Sequence, residues 1–202
     1  MGDYGINLHV TEKAPTVLSI FSFPFGDLFN KNGISAGVSS WRKFSELSTP
    51  PQAKMGGNYL NSIIATQEAK RSGFDEAILL DHSGNVSEAP GENIFIVRNG
   101  ILTTPPLSSS ALEGITRDSV IKIGKDLDIK VLENKITRSE LMMADEVFLT
   151  GTAAEITPII SIDKKKIGSG KPGSITRKVM SYYFDIVMNK NENYSNWLTS
   201  VY

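Results

Sequence analysis

Ala53-Lys54-Met55-Gly56-Gly57-Asn58-Tyr59-Leu60 is the stretch on which the rest of the chain turns. A lysine stands just ahead of two glycines, which let a backbone pass close to a ligand. The run that follows, Asn58 to Ser72, carries Leu60, Ile63, Ile64 and Ala69 at the spacing of one helix face, and Gly73 ends it. Upstream, Thr16 to Phe25 alternates loosely around Val17, Ile20, Phe21 and Phe23, predicting a strand that stops at Pro24. Gly26 to Gly33 is a polar connector, and Ile34 to Trp41 predicts a second strand.

Downstream, Ala77 to Leu80 and Ile94 to Val97 read as short buried strands, with a turn at Asp81-His82-Ser83-Gly84-Asn85 between them. Asn99-Gly100 between two apolar runs is a hairpin signal. Ile115 to Leu127 predicts a helix that turns Val120, Ile121, Ile123 and Leu127 inward, and Ile129 to Leu132 a strand. Thr137-Arg138-Ser139-Glu140 fits a capping box opening a short helix. Glu146 to Thr150 is a strand ending at a Gly-Thr turn. Asp163 to Gly173 is a solvated hairpin, and Ile175 to Met188 a last amphipathic helix. Strands and helices interleave without a βαβ rhythm, and no Gly-x-Gly-x-x-Gly follows a strand. The fold class is therefore α+β rather than a dinucleotide-binding sheet.

Composition narrows the function. The 202 residues are 40% hydrophobic and carry 21 basic and 22 acidic side chains, a net charge of −1. Neither a nucleic-acid nor a membrane partner is expected from that balance. There is no cysteine, and the two histidines, His9 and His82, lie far apart, so no zinc site or histidine triad is expected. No apolar run reaches the roughly 18 residues of a membrane span. Met1-Gly2-Asp3-Tyr4-Gly5 has no signal-peptide character, which makes a cytoplasmic location the expectation.

Three further blocks follow the lysine in order: Ser87-Glu88-Ala89-Pro90-Gly91-Glu92-Asn93-Ile94-Phe95, Leu112-Glu113-Gly114-Ile115-Thr116-Arg117-Asp118 and Gly151-Thr152-Ala153-Ala154-Glu155-Ile156-Thr157-Pro158. Taken singly, each has a plain structural meaning. Lys54 reads as a surface-loop lysine. Glu88 reads as a strand-end carboxylate, with Glu92 as its rival for any role, and Tyr59 as a tyrosine packed at a helix start. Gly114-Ile115-Thr116 is a helix N-terminus with free N–H groups, and Gly151-Thr152-Ala153 a tight turn.

Taken together, in this order and spacing, the four blocks resemble the branched-chain amino acid aminotransferases, pyridoxal-phosphate enzymes of fold type IV. The resemblance runs from about Gly2 to the C-terminus. It implies the large cofactor-binding domain of the D-amino acid aminotransferase-like fold, and pyridoxal 5'-phosphate as cofactor. It makes Lys54 the catalytic lysine that bonds the cofactor. It puts Glu88 at the pyridine nitrogen, Tyr59 at the phenolic oxygen and Leu112 on one face of the ring. Ile115, Thr116 and Thr152 are assigned to the phosphate, and Phe25, Gly91, Thr152 and Ala153 to the substrate.

The resemblance also implies a domain plan. Residues 1–25 match the end of the family's N-terminal small domain, 26–33 its interdomain linker and 34–202 the large domain. Most of the small domain, with the family's phosphate-binding arginine, has no counterpart here. Pro24-Phe25-Gly26 replaces the Pro-Trp-Gly common in relatives, and Leu28 stands where a tyrosine is frequent. The implied activity is exchange of the amino group of leucine, isoleucine or valine with 2-oxoglutarate by a homo-oligomer, a dimer or larger. The alternatives are a D-amino acid aminotransferase, an aminodeoxychorismate lyase, or a non-catalytic truncated product.

Overall fold

The computed structural model describes residues 14–200. Nine strands and four helices alternate along them. They are β1 (Ile34–Arg42), α1 (Tyr59–Arg71), β2 (Glu76–Leu80), β3 (Val86–Glu88), β4 (Asn93–Arg98), β5 (Ile101–Thr104), α2 (Ile115–Asp126), β6 (Val131–Glu133), α3 (Arg138–Met142), β7 (Glu146–Gly151), β8 (Glu155–Ile162), β9 (Lys165–Lys166) and α4 (Ser174–Val187). All nine strands join one mixed sheet in the order β3-β2-β1-β8-β7-β4-β5-β6, with β9 paired to β8. β1 lies parallel to both β2 and β8, whereas β7 runs antiparallel to both β4 and β8. This is the α+β class expected.

The central strands are buried on both faces, so they read as apolar runs rather than alternating ones. On one face Ile94, Ile96, Val147, Leu149 and Ile159 pack with Leu141 of α3. On the other, Phe95 stacks on Phe148 with centroids 5.2 Å apart, beneath Val120 and Ile123 of α2 and Val179 and Ile186 of α4. The β4–β5 turn places Asn99 at φ 51° and Gly100 at φ 76°, as the Asn-Gly hairpin signal requires. The Thr137–Glu140 capping box forms in both directions.

Three expectations need correction. Thr16 to Phe25 is not a strand: the described residues before Ile34 have no regular structure, and Val17, Ile20, Phe21 and Phe23 are exposed. A strand exists only by pairing, and no described strand pairs with this segment. The reading of residues 1–13, His9 included, falls outside the described residues. Second, α1 does not bury the face of Leu60 and Ile63, which are 64% and 57% exposed. It buries Ser62, Ala65 and Ala69, the two alanines packing with Ala77 and Leu79 of β2. Small side chains at helical spacing let α1 lie close on the sheet, a seam that a count of large apolar residues passes over.

Third, β8 has no counterpart in the sequence-based expectation. Its Pro158 argues against a strand interior, yet it pairs opposite Phe148, and the pairing with β1 begins only at Ile159. The missing N–H therefore falls just outside the β1 ladder. The connector Gly26 to Gly33 is anchored rather than loose. Phe29 packs on the core, and Lys31 pairs with Asp27 at 3.3 Å and with Glu155 at 3.5 Å.

Candidate active site

A cleft of about 430 Å³ opens between the loop before α1, the end of β3 and the segment before α2. It is lined by Lys54, Tyr59, Glu88, Gly91 and Leu112, five of the residues singled out in sequence, together with Lys43, Glu92 and Asn93. The Lys54 ammonium lies 5.6 Å from the centre of the Tyr59 ring, within cation–π range. α1 is tied to the opposite wall by Ser62, whose hydroxyl donates to the Pro90 carbonyl at 2.6 Å.

Glu88 is delivered by the β2–β3 hairpin. Asp81 closes that turn by accepting the N–H groups of Ser83 and Asn85, each at 2.9 Å. The Glu88 carboxylate is buried, and its charge is matched. Oε1 meets the Lys43 ammonium at 2.6 Å. Oε2 accepts the Asn93 amide at 3.1 Å and the Leu112 N–H at 2.8 Å. Glu92, its rival, is only 7% exposed and accepts one bond, from the Gly91 N–H at 3.2 Å. Burial, reinforced by the charges of Glu76 and Glu88, pushes its pKa up to about 7. A carboxyl that is half protonated near neutrality makes a poorer fixed anion than Glu88.

That pKa carries a pH signature. A carboxyl whose folded pKa is raised stabilises the fold below its unfolded pKa, and this contribution is lost as pH rises through the folded value. Between about pH 4.5 and 7 the chain should therefore lose on the order of 3 kcal/mol through Glu92. Glu92→Gln should gain stability over the parent at pH 8 relative to pH 5 in urea unfolding. An equal difference at both pH values would show that Glu92 does not titrate in this way.

Asn93 links this cleft to the N-terminus of α2. Its amide also donates to the Leu112 carbonyl at 2.8 Å, and Gly114 lies so close that a Cβ there would overlap Asn93 Oδ1. α2 starts at Ile115 with no side-chain cap, so its first N–H groups are free donors at the positive end of the helix dipole. The Ile115 side chain is 83% exposed, while Thr116 is buried. Gly114→Ala should push Asn93 off Glu88 and Leu112 at a cost of about 1–3 kcal/mol in unfolding. Combined with Asn93→Ala the penalty should shrink; an undiminished penalty would place its cause elsewhere.

Thr152 and Ala153 sit on the β7–β8 turn, exposed, and line a second open groove with Phe25 and Leu28. Gly151, at the root of that turn, lies 3.5 Å from the Gly91 carbonyl and from Cγ of Glu92, measured from the position of a Cβ. The two hollows are thus neighbours across Gly91 and Glu92. Asn93 and Lys43 are site residues to which sequence reasoning gave no role, and Glu92 entered only as the rival of Glu88. Asn93 and Glu92 stood inside a quoted motif. Lys43 had no signal at all, because a register shift between Val38 and Arg42 breaks the alternation that would place it.

Residues 2–162 match the family of class IV amino-transferases; the chain belongs to it. Among its relatives, a probable branched-chain-amino-acid aminotransferase of Aquifex aeolicus is 50% identical over 187 residues, 92% of this chain. The branched-chain-amino-acid aminotransferase of Escherichia coli K12 is 42% identical over an alignment covering all of it. The chain spans 60% and 66% of their respective lengths. Two solved structures resemble it closely. The branched-chain aminotransferase of Thermoproteus uzoniensis with norvaline aligns at TM-score 0.86 and 52% identity over 89% of this chain and 60% of that one. The branched-chain amino acid aminotransferase of Thermobaculum terrenum, solved in its PLP-form, aligns at 0.83 and 42% over 86% and 57%. Among the described residues no helix is long and apolar enough to cross a membrane.

Proposed function

We propose that the chain is the cofactor-binding part of a pyridoxal-phosphate-dependent branched-chain amino acid aminotransferase, acting on L-leucine, L-isoleucine or L-valine with 2-oxoglutarate. The observation that carries this is the convergence of Lys54, Tyr59, Glu88, Gly91 and Leu112 on one cleft. The names of the relatives support the substrate class. The cleft fits the cofactor chemically. It holds an amine for the covalent link, a charge-matched anion for a ring nitrogen, and beside it a helix start with free N–H donors for a phosphate.

When bound, pyridoxal phosphate supplies an electron sink for the substrate α-carbon. The chain's residues do the rest. Lys54 Nζ would carry the link and would move the proton at the substrate α-carbon. Glu88 would hold the ring nitrogen and Tyr59 the phenolic oxygen, while Leu112 would cover one ring face. The N–H groups of Ile115 and Thr116 and the Thr152 hydroxyl take the phosphate. Thr152 and Ala153 offer N–H groups to the substrate carboxylate, with Gly91 and Phe25 bordering its side chain.

Residues 26–33 then serve as the linker and 34–202 as the large domain, with 1–25 the edge of a small domain. A cytoplasmic homo-oligomer acting in branched-chain amino acid biosynthesis accords with this function, and the exposed Leu60 and Ile63 offer apolar surface for a second subunit. The test supplies pyridoxal phosphate and measures glutamate formed from 2-oxoglutarate with L-leucine, and with D-alanine as control. The chain is assayed as it stands and with a relative's small domain fused upstream. Turnover with L-leucine, highest in the fusion, is expected. Preference for D-alanine, or no turnover in either form, would overturn the function.

A further inference from the structure

The buried ion pair at the cleft wall carries an inference beyond the assignment of Glu88. Lys43 follows β1 directly, its N–H donating to the Leu80 carbonyl at 2.8 Å. Its side chain is 6% exposed, as is that of Glu88, and its ammonium also lies 4.8 Å from the centre of the Phe44 ring. Either charge alone at this depth would be costly; the two together, with two further donors on the carboxylate, are compensated.

We propose that Lys43 is a positioning residue that acts through Glu88: its ammonium keeps the carboxylate ionised and aimed at the cleft before any ligand arrives. The acceptor count shows how it acts. A carboxylate has about four acceptor positions. Oε2 is filled by Asn93 and Leu112, and Oε1 is shared with Lys43. A further donor from a ligand can bind only at Oε1, beside the ammonium. Lys43 thus prepares the anion and also contests it, limiting how tightly Glu88 can hold a second cation. The other charged groups lining the cleft are Lys54 and Glu92, and Glu76 of β2 acts on Glu92. Among the described residues, Lys43 is the ion-pair partner of Glu88, and Lys54 is not.

The importance of this pair for catalysis rests on the proposed function, but the pair can be tested without cofactor. The chain is labelled with 13C at glutamate side-chain carboxyls and 15N at lysine Nζ, and titrated by NMR. Glu88 should titrate about one to three pH units higher in Lys43→Gln than in the parent. Lys43→Arg should restore the parent value. In the parent itself, the Lys43 Nζ resonance should shift at the pH where Glu88 takes up its proton, a readout that survives if a variant fails to fold.

An unchanged Glu88 titration in Lys43→Gln, equal displacement in Lys43→Arg, or a silent Lys43 Nζ would each overturn the inference. Pyridoxal phosphate is then added to the parent. Cofactor binding without a coupled pair would defeat the inference alone. A coupled pair without cofactor binding would defeat the proposed function alone.

Discussion

Lys54→Ala is expected to abolish transamination, with a loss of at least about 10²–10⁴-fold from proton transfer alone. The covalent link disappears as well. The amine sits at the cleft mouth near Tyr59, held by a loop rather than by any ion pair among the described residues. Stability should hardly change, because an exposed side chain with no buried partner contributes little. The check is chemical. Borohydride reduction in the presence of pyridoxal phosphate, followed by peptide mapping, should label Lys54 in the parent and no residue in the variant. Label on another lysine, with Lys54 clean, would remove the central assignment.

Glu88→Gln should act on both fold and chemistry. The amide leaves the Lys43 ammonium buried with no counter-charge, a situation that costs about 3–5 kcal/mol. It also removes the anion proposed to hold the ring nitrogen of a bound cofactor. Turnover per folded molecule should fall about 10²-fold or more, the scale of losing one preorganised electrostatic contact. Urea unfolding measures the first effect, and steady-state turnover corrected for folded fraction the second. Glu92→Gln is the control, because among the described residues its carboxyl has no ion-pair partner to orphan. Normal turnover in Glu88→Gln together with collapse in Glu92→Gln would exchange the roles of the two carboxylates.

The elements that sequence reading recovered are those with a local cause. The Asn99-Gly100 hairpin, the Thr137–Glu140 capping box and the apolar runs of β4 and β7 each carry their reason within a few residues. Lys54, Tyr59, Glu88, Gly91 and Leu112 share a cleft because the resemblance rested on ordered motifs, not on any single residue. What escaped depends on distant partners. β8 tolerates Pro158 because of where β1 begins to pair. The face that α1 buries is chosen by Ala77 and Leu79 below it. Lys43 is drawn inward by Glu88, 45 positions along the chain, and no local pattern records that attraction.

The placement of β1 between β2 and β8 has a consequence for the order in which the protein can assemble on the ribosome. β2 is synthesised soon after β1, so the unit of β1, α1 and the β2–β3 hairpin can form early, and it already contains Lys43, Lys54 and Glu88. The other side of β1 must wait for β8: Ile34 pairs with Ile159, 125 residues later. From Glu88 to Ile159 is 71 residues, so at a synthesis rate of about 5–20 residues per second the nascent chain carries the half of its cleft that holds Lys43, Lys54 and Glu88, with the β8 side of β1 bare, for about 4–14 seconds. Such an edge invites pairing with other chains. The interval before β8 emerges is therefore one in which the unpaired edge of β1 favours misassembly.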